Sequence, residues 1–354
     1  MTQSTNDFEA TDRAVENLRP LIEGLANELW DIAELSLHEV ESEKAVIGAL
    51  DELGFQITST GTAGVATAFV AEWGSGAPTI GLLAEYDALP GLGNAAVPRK
   101  EARADGKSSG HGCGHNLFGA GIIGAAAALK SVLAERGLPG TIRVYGCAAE
   151  ETEGAKVYMA REGLFEDLDA ALHWHPSDSA SIMNIKSNAL NHVRVEFFGK
   201  AAHAGATPWK GRSAVHAAEL FAHGMNLMRE HIEPTARMHY IYTHAGVAPN
   251  IVPDYAQVSV MVRDIERSKV ETMTEWVKQI AEGAAMATQT TTKALIYHGV
   301  YDLLPNMPLA ERLQAHLERV GVPEYADDEL EFARELQRNY GIEATGMATS
   351  VDAL

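Results

Sequence analysis

The sequence predicts an α/β protein in two parts, a layered domain built on a mixed sheet and a smaller βαββαβ unit, ferredoxin-like in order, inserted into it. Three observations carry this. At about 150 residues per domain, 354 residues are too many for one compact core. The hydrophobic period changes from helical to strand-like after the first fifty residues. Between residues 188 and 299, six elements then follow in the order strand, helix, strand, strand, helix, strand.

Taken in order, Leu18, Leu21, Ile22, Leu25, Leu29, Ile32 and Leu35 recur every three or four positions, with Pro20 near a helix start and Gly54 closing the region. The runs VATAFVAEW, TIGLLAEYD, TIRVYGCAAEE and LDAALHWHP are short, apolar and bounded by Gly and Pro, so they read as strands. Helices fall among them near 114–136 and 154–163. The inserted unit comprises NALNHVRVEFFG, a helix over 213–229, RMHYIYTHAG, YAQVSVMVRD, a helix over 268–286, and TTKALIYHG. Two further helices, 308–320 and 327–340, are expected to pack back onto the first domain. The expected divisions are 1–186 for the first part of the large domain, 187–300 for the insert and 301–354 for the second part.

Composition narrows the partners. Lys+Arg 28 against Asp+Glu 48 leaves a net charge of −20, which repels a phosphate backbone or an anionic membrane surface. Nucleic acid and membrane are therefore not expected. Two cysteines, Cys113 and Cys147, cannot make a disulfide framework, and the amino terminus has neither a basic nor an apolar leader pattern, so a reduced, cytoplasmic protein is expected. The longest apolar run, 117–129, falls short of the ~20 residues that cross a bilayer.

Chemistry-bearing residues gather at strand ends. Glu85 and Asp87 follow TIGLL, Glu150 and Glu151 follow IRVYGCA, and His173 and His175 follow DAAL. In open α/β sheets the carboxyl ends of strands line the ligand crevice, so three groupings there point to one site, although a lone loop carboxylate is ordinarily just solvated. A fourth grouping, His111, Cys113 and His115 in SSGHGCGHN, alternates glycine with potential ligands. Read as extended chain, it puts Cys113 and His115 on one side. A thiolate, imidazoles and carboxylates suffice for two divalent ions, which polarise a carbonyl and activate water. The pair Glu150 and Glu151 suits a division between proton transfer and metal binding. A metal-free alternative makes Cys113 a nucleophile with His111 or His115 as base.

The motifs GLLAEYDALPG, GHGCGHN, AAEETEGAK, ALHWHP, GKAAHAGATPW and GVAPNIVPD, spread in order over about residues 15–340, resemble the di-metal amidohydrolases and peptidases of the aminoacylase and carboxypeptidase G superfamily. Within it the likeness is to the branch that hydrolyses aminobenzoyl-glutamate and indoleacetyl-amino acids. The resemblance implies a zinc-peptidase-type catalytic domain, a dimerisation insert, a homodimer with a possible second subunit, and an N-acyl or N-aroyl amino acid as substrate. It implies two divalent ions, Mn2+ or Zn2+, since thiolate and imidazole favour zinc and carboxylates manganese. By the same resemblance Glu150 is the general base and Cys113, His115, Glu151 and His175 are metal ligands. Asp87 and Glu85 support the site, His203 polarises the scissile carbonyl across a dimer, and Asn250 and Arg263 bind the substrate carboxylate.

The family pattern ends with one more histidine ligand. After the insert this chain has only His316, inside the helical LAERLQAHLERV, so the last ligand and the last part of the catalytic sheet are expected to be missing. An incomplete, non-catalytic or weakly active partner protein that retains the fold is the alternative this departure raises.

Overall fold

The computed structural model describes residues 5–183 and 186–354. The reading of the amino terminus as leaderless rests partly on residues 1–4, which lie outside the described residues. The chain divides into two compact units, 1–180 with 321–351, and 181–320 with 352–354.

The first unit begins with α1 (Thr5–Ile32) and α2 (Val40–Glu52). The continuous helical period of the first fifty residues is thus broken, and Pro20 lies inside α1 instead of near its start. The break is made by tertiary contacts: Ala33 and Leu37 take positive φ, and the Glu34 carboxylate accepts the backbone N–H groups of Glu41 and Ser42, both at 2.9 Å, satisfying donors that a helix start leaves free. Strands β1 (Gln56–Thr60), β2 (Phe69–Ser75), β3 (Thr79–Ala84), β4 (Gly140–Gly146) and β5 (Ala170–Leu172) form a mixed sheet in the order β1-β2-β4-β3-β5. The pairs β3/β4 and β3/β5 are parallel, while β1/β2 and β2/β4 are antiparallel.

Parallel strands share one carboxyl edge, so the chain leaving Ala84, Gly146 and Leu172 emerges on the same side. That edge positions the site. Behind it, α3 (His115–Arg136) brings Phe118, Ile122, Ile123 and Ala126 into a core with Leu82, Val144, Phe69 and Tyr145, each buried large side chain contributing ~1.5–3 kcal/mol. At 22 residues α3 is long and apolar enough to span a bilayer, contrary to the expectation from its shorter apolar run. Its burial in this core accounts for its composition. Gly119 lets α3 approach the sheet, because a Cβ there would sit 2.8 Å from the Glu85 carbonyl oxygen. The short α4 (Ala155–Arg161) follows β4, and α8 (Asp327–Asn339) also belongs to this unit.

In the second unit β6 (Ala189–Phe198), β7 (Arg237–Ala245), β8 (Tyr255–Asp264) and β9 (Thr291–Val300) form an antiparallel sheet in the order β7-β8-β6-β9. Strict alternation along β6 and β8 turns Val193, Val195, Phe197, Val258, Val260 and Val262 toward α5 (Ala214–Met228) and α6 (Arg267–Thr288). The Ser213 hydroxyl caps α5 by accepting the His216 N–H at 3.2 Å. This is the βαββαβ sandwich that the element order predicts. Helix α7 (Met307–Val320) groups with this unit, and Gln314 in it donates to the Asp352 carbonyl at 2.8 Å; of the two closing helices, α8 alone groups with the first unit.

Candidate metal centre

Glu85 and Asp87 lie just after β3, Glu150 and Glu151 in the turn after β4, and His175 just after β5. Cys113 and His115 come to the same edge by a route other than strand alternation. Residues 111–114 form a turn in which the His111 carbonyl accepts the Gly114 N–H at 3.1 Å, and Gly114 takes φ +79°, a conformation glycine adopts without penalty. His115 then opens α3.

Two ligand groupings result, each with its donor atoms within 4.8 Å of one another: Cys113, His115 and His175, and Glu85, His115 and Glu150. Sγ of Cys113 lies 3.3 Å from Nε2 of His175. The Nδ1–H of His115 donates to Oδ1 of Asp87 at 2.8 Å, which leaves Nε2 as the free lone pair facing the carboxylates. That Nε2 is 3.2 Å from Oε2 of Glu85, 3.9 Å from Glu150 and 4.0 Å from Glu151, but hydrogen-bonds with none of them. Oε1 of Glu151 is likewise buried without a partner. Unpaired buried acceptors that converge with a thiol are what a divalent cation would satisfy, and the mixture of S, N and O donors fits one.

Electrostatics agree. Burial by itself would raise the Asp87 carboxyl, but bonds from His115, the Glu151 N–H at 3.0 Å and the Ser36 hydroxyl at 2.8 Å hold it below the usual range. Burial alone would depress His115; its bond to Asp87, with Glu85 and Glu150 nearby, raises it instead. Glu85 is raised by burial, against the pull of the Lys156 ammonium that bonds to it. The Cys113 thiol is pushed up to about 12 by burial and by its hydrogen bond to Glu151 and the charge of the surrounding glutamates. Such a thiol is not ionised near neutrality unless a cation joins it, which weighs against its acting as a metal-free nucleophile.

The buried Phe118 ring packs against the imidazoles, 6.0 Å from His115, 5.8 Å from His175 and 5.9 Å from His173. Four residues of this environment carry no sequence motif: Ser36, Glu39, Thr67 and Lys156.

His203, Asn250 and Arg263 belong to the second unit. There the Asn250 carbonyl accepts the Ala204 N–H at 3.0 Å, placing the His203 and Asn250 loops side by side. Nδ1 of His203 accepts the N–H groups of Gly205 at 3.2 Å and Ala206 at 3.1 Å, so its proton resides on Nε2. Arg263 lies on β8 with its guanidinium against the Met261 sulfur, and its Nε is buried without a partner. His316 lies on α7 in the second unit.

The profile of peptidase family M20/M25/M40 matches residues 81–330. One of the two p-aminobenzoyl-glutamate hydrolase chains of Escherichia coli (strain K12) is 39% identical over 331 residues, which are 93% of this chain and 69% of the relative. A Xaa-Arg dipeptidase of Mus musculus is 30% identical over 334 residues, 90% of this chain and 72% of the relative. Among solved structures, a dinuclear metal-binding peptidase of the M20 family from Bacillus subtilis superposes with a TM-score of 0.62 at 20% identity, covering 86% of this chain and 80% of that one; the likeness is one of fold.

Proposed function

Because this chain belongs to peptidase family M20/M25/M40, we propose that it hydrolyses the amide of an N-acyl or N-aroyl amino acid, with Glu150 as general base for a metal-activated water. Aminobenzoyl-glutamate is the substrate we favour, since the Escherichia coli relative is named for it. The mouse relative, named as a dipeptidase, shares the same leaving group in general terms: an amino acid released from an amide nitrogen.

The observation that carries the reading is the convergence of His115 Nε2 and Glu151 Oε1, both buried and unpartnered, with Cys113, His175 and Glu150 on one sheet edge. In this proposal Cys113, His115, Glu151 and His175 hold two divalent ions, Mn2+ or Zn2+, with Glu85 beside them. When bound, such ions acidify water and polarise the amide carbonyl. Asp87 fixes the His115 ring through Nδ1, so that Nε2 remains the metal-facing nitrogen. Glu150, half-exposed, takes the water proton and delivers it to the leaving nitrogen. His203 donates from Nε2 to the carbonyl oxygen, the tautomer its backbone bonds favour, and Asn250 and Arg263 engage the amino-acid carboxylate. Arg263 is suited to this by a fork that no carboxylate of the chain occupies among the described residues.

The same proposal includes a homodimer, and a second kind of chain in the assembly, because the Escherichia coli relative is named as one component of a hydrolase with more than one. The free cysteines suit a reducing cytoplasm. The test is hydrolysis of p-aminobenzoyl-glutamate followed chromatographically, on protein loaded with Mn2+ or Zn2+ and on the Glu150→Gln variant. Turnover that stops on chelation, returns with metal and is absent from a metal-loaded Glu150→Gln protein is expected. Turnover surviving both treatments overturns it.

A further inference from the structure

Glu39 is a carboxylate at 0% exposure, and among the described residues it forms no ion pair. Uncompensated charge in a protein interior is costly, so a buried acid lacking a cation needs a reason in the contacts it makes. Its two oxygens have separate partners. Oε1 accepts the backbone N–H of Ala149 at 2.7 Å, 110 residues away in sequence, and Oε2 accepts the Thr67 hydroxyl at 2.7 Å. Thr67 is fixed in turn, its carbonyl accepting the Tyr86 hydroxyl at 2.6 Å from beneath the sheet edge.

Ala149 is the residue immediately before Glu150, and it sits at φ +54°, a left-handed conformation that an alanine side chain disfavours. Its carbonyl closes the following turn by accepting the N–H groups of Thr152 at 3.2 Å and Gly154 at 2.7 Å. The Glu150 backbone is thus gripped from both sides by acids, Glu39 at the Ala149 N–H and Asp87 at the Glu151 N–H. Asp87 has evident further business with His115; Glu39 has none.

We propose that Glu39 is a positioning residue for the reaction: it clamps the strained Ala149 peptide and thereby holds the Glu150 carboxylate in one place. The proposal rests on Glu150 acting as general base. A small displacement of a catalytic group suffices to cost orders of magnitude in rate, because orientation is lost while substrate contacts persist.

The experiment compares Glu39→Met, which fills the same space without an acceptor, with Glu39→Gln, whose amide oxygen can still accept from Ala149 while its NH2 donates to Thr67. Metal-loaded full-length variants are assayed for kcat, KM, metal content and the pH profile of kcat/KM. Glu39→Met is expected to lower kcat roughly 10- to 100-fold with KM and metal content unchanged and the acid limb of the profile displaced. Glu39→Gln is expected to stay within about threefold of the unsubstituted protein, since the clamp persists. A folded Glu39→Met protein with undiminished kcat overturns the proposal, and so does a Glu39→Gln protein as impaired as Glu39→Met. Should the methionine variant fail to fold, Glu39→Asp serves, because it keeps the charge but is too short to span Ala149 and Thr67: reduced kcat supports the clamp and undiminished kcat overturns it. Glu150→Gln is run alongside. If that variant is active, the general-base reading has failed; if it is inactive while Glu39→Met turns over normally, only the clamp has.

Discussion

At the carboxyl edge of the five-stranded sheet, Glu39, Glu85, Asp87 and His115 are buried and Glu150, Glu151, Cys113 and Lys156 crowd beside them, whereas the four-stranded sheet seals valine, phenylalanine and methionine between itself and its helices. The second arrangement is what burial of apolar surface alone would select. In the first, carboxylates outnumber the cations that face them, and His115 Nε2 and Glu151 Oε1 are left without partners. A region built at the expense of its own stability is the one expected to respond to a ligand, and the sandwich is the one expected to be indifferent.

The strongest probe of that difference is Glu150→Gln. Removing a general base typically costs 10²–10⁴ in rate, so kcat should fall by about 10³. The amide is nearly isosteric and relieves repulsion among the acids, so thermal unfolding should occur at the same temperature or higher; a clear loss of stability would mean Glu150 is structural. His203→Ala is the counterpart in the sandwich. Loss of one donor to a developing oxyanion costs about 10²–10³ in kcat, and because the His203 ring is exposed, unfolding should be unaffected. If His203→Ala also lowered the metal content of the first unit, its assignment as a pure donor would fail.

Metal itself should separate the units next. At a free concentration near 100 times Kd, a bound ion adds about 2.7 kcal/mol to whatever unfolds with its site. Hydrogen exchange with and without Mn2+ or Zn2+ should therefore slow by about a hundredfold around 85–87, 111–116 and 147–152, while β6 and β8 remain unchanged. Equal protection of both units would show that they open together.

How much of this could be read from sequence follows the same division. Alternation along β6 and β8 and the motifs at the ends of β3, β4 and β5 are local patterns, and Cys113, His115, Glu150, Glu151 and His175 were legible through them. What was illegible is held by long-range bonds. Glu39 meets Ala149 and Ser36 meets Asp87 across 110 and 51 residues, with no periodicity to announce either. The break between α1 and α2 is of this kind too, because Glu34 caps α2 from outside it. Cys113 and His115 were found for an incomplete reason: strand alternation and a left-handed glycine turn can present the same two residues, and only the backbone distinguishes them. For α7, an amphipathic pattern says that one face is buried but not which unit buries it.

The smallest predicted effect lies on the open face of the sandwich. His192 and His298 oppose each other across β6 and β9 with ring centroids 5.3 Å apart. Partial burial, then His298, then Arg263 hold His192 below the ordinary imidazole range, each disfavouring its charged form. The folded value is thus depressed relative to the unfolded one near 6.5, so the unfolded chain binds the proton more readily. The stabilisation from keeping His192 neutral is present above that unfolded value and is lost as pH falls through the folded one. In His298→Gln one repulsion disappears, and the His192 titration followed by NMR should move upward by a fraction of a pH unit, with stability between pH 5 and 6.5 improving by less than ~1 kcal/mol. Because this face is remote in sequence from the metal-binding loops, adding Mn2+ or Zn2+ should leave the His192 titration where it was. A shift on metal addition would show that the sandwich is not indifferent, and that its histidines belong to the same electrostatic system as the acids of the first unit.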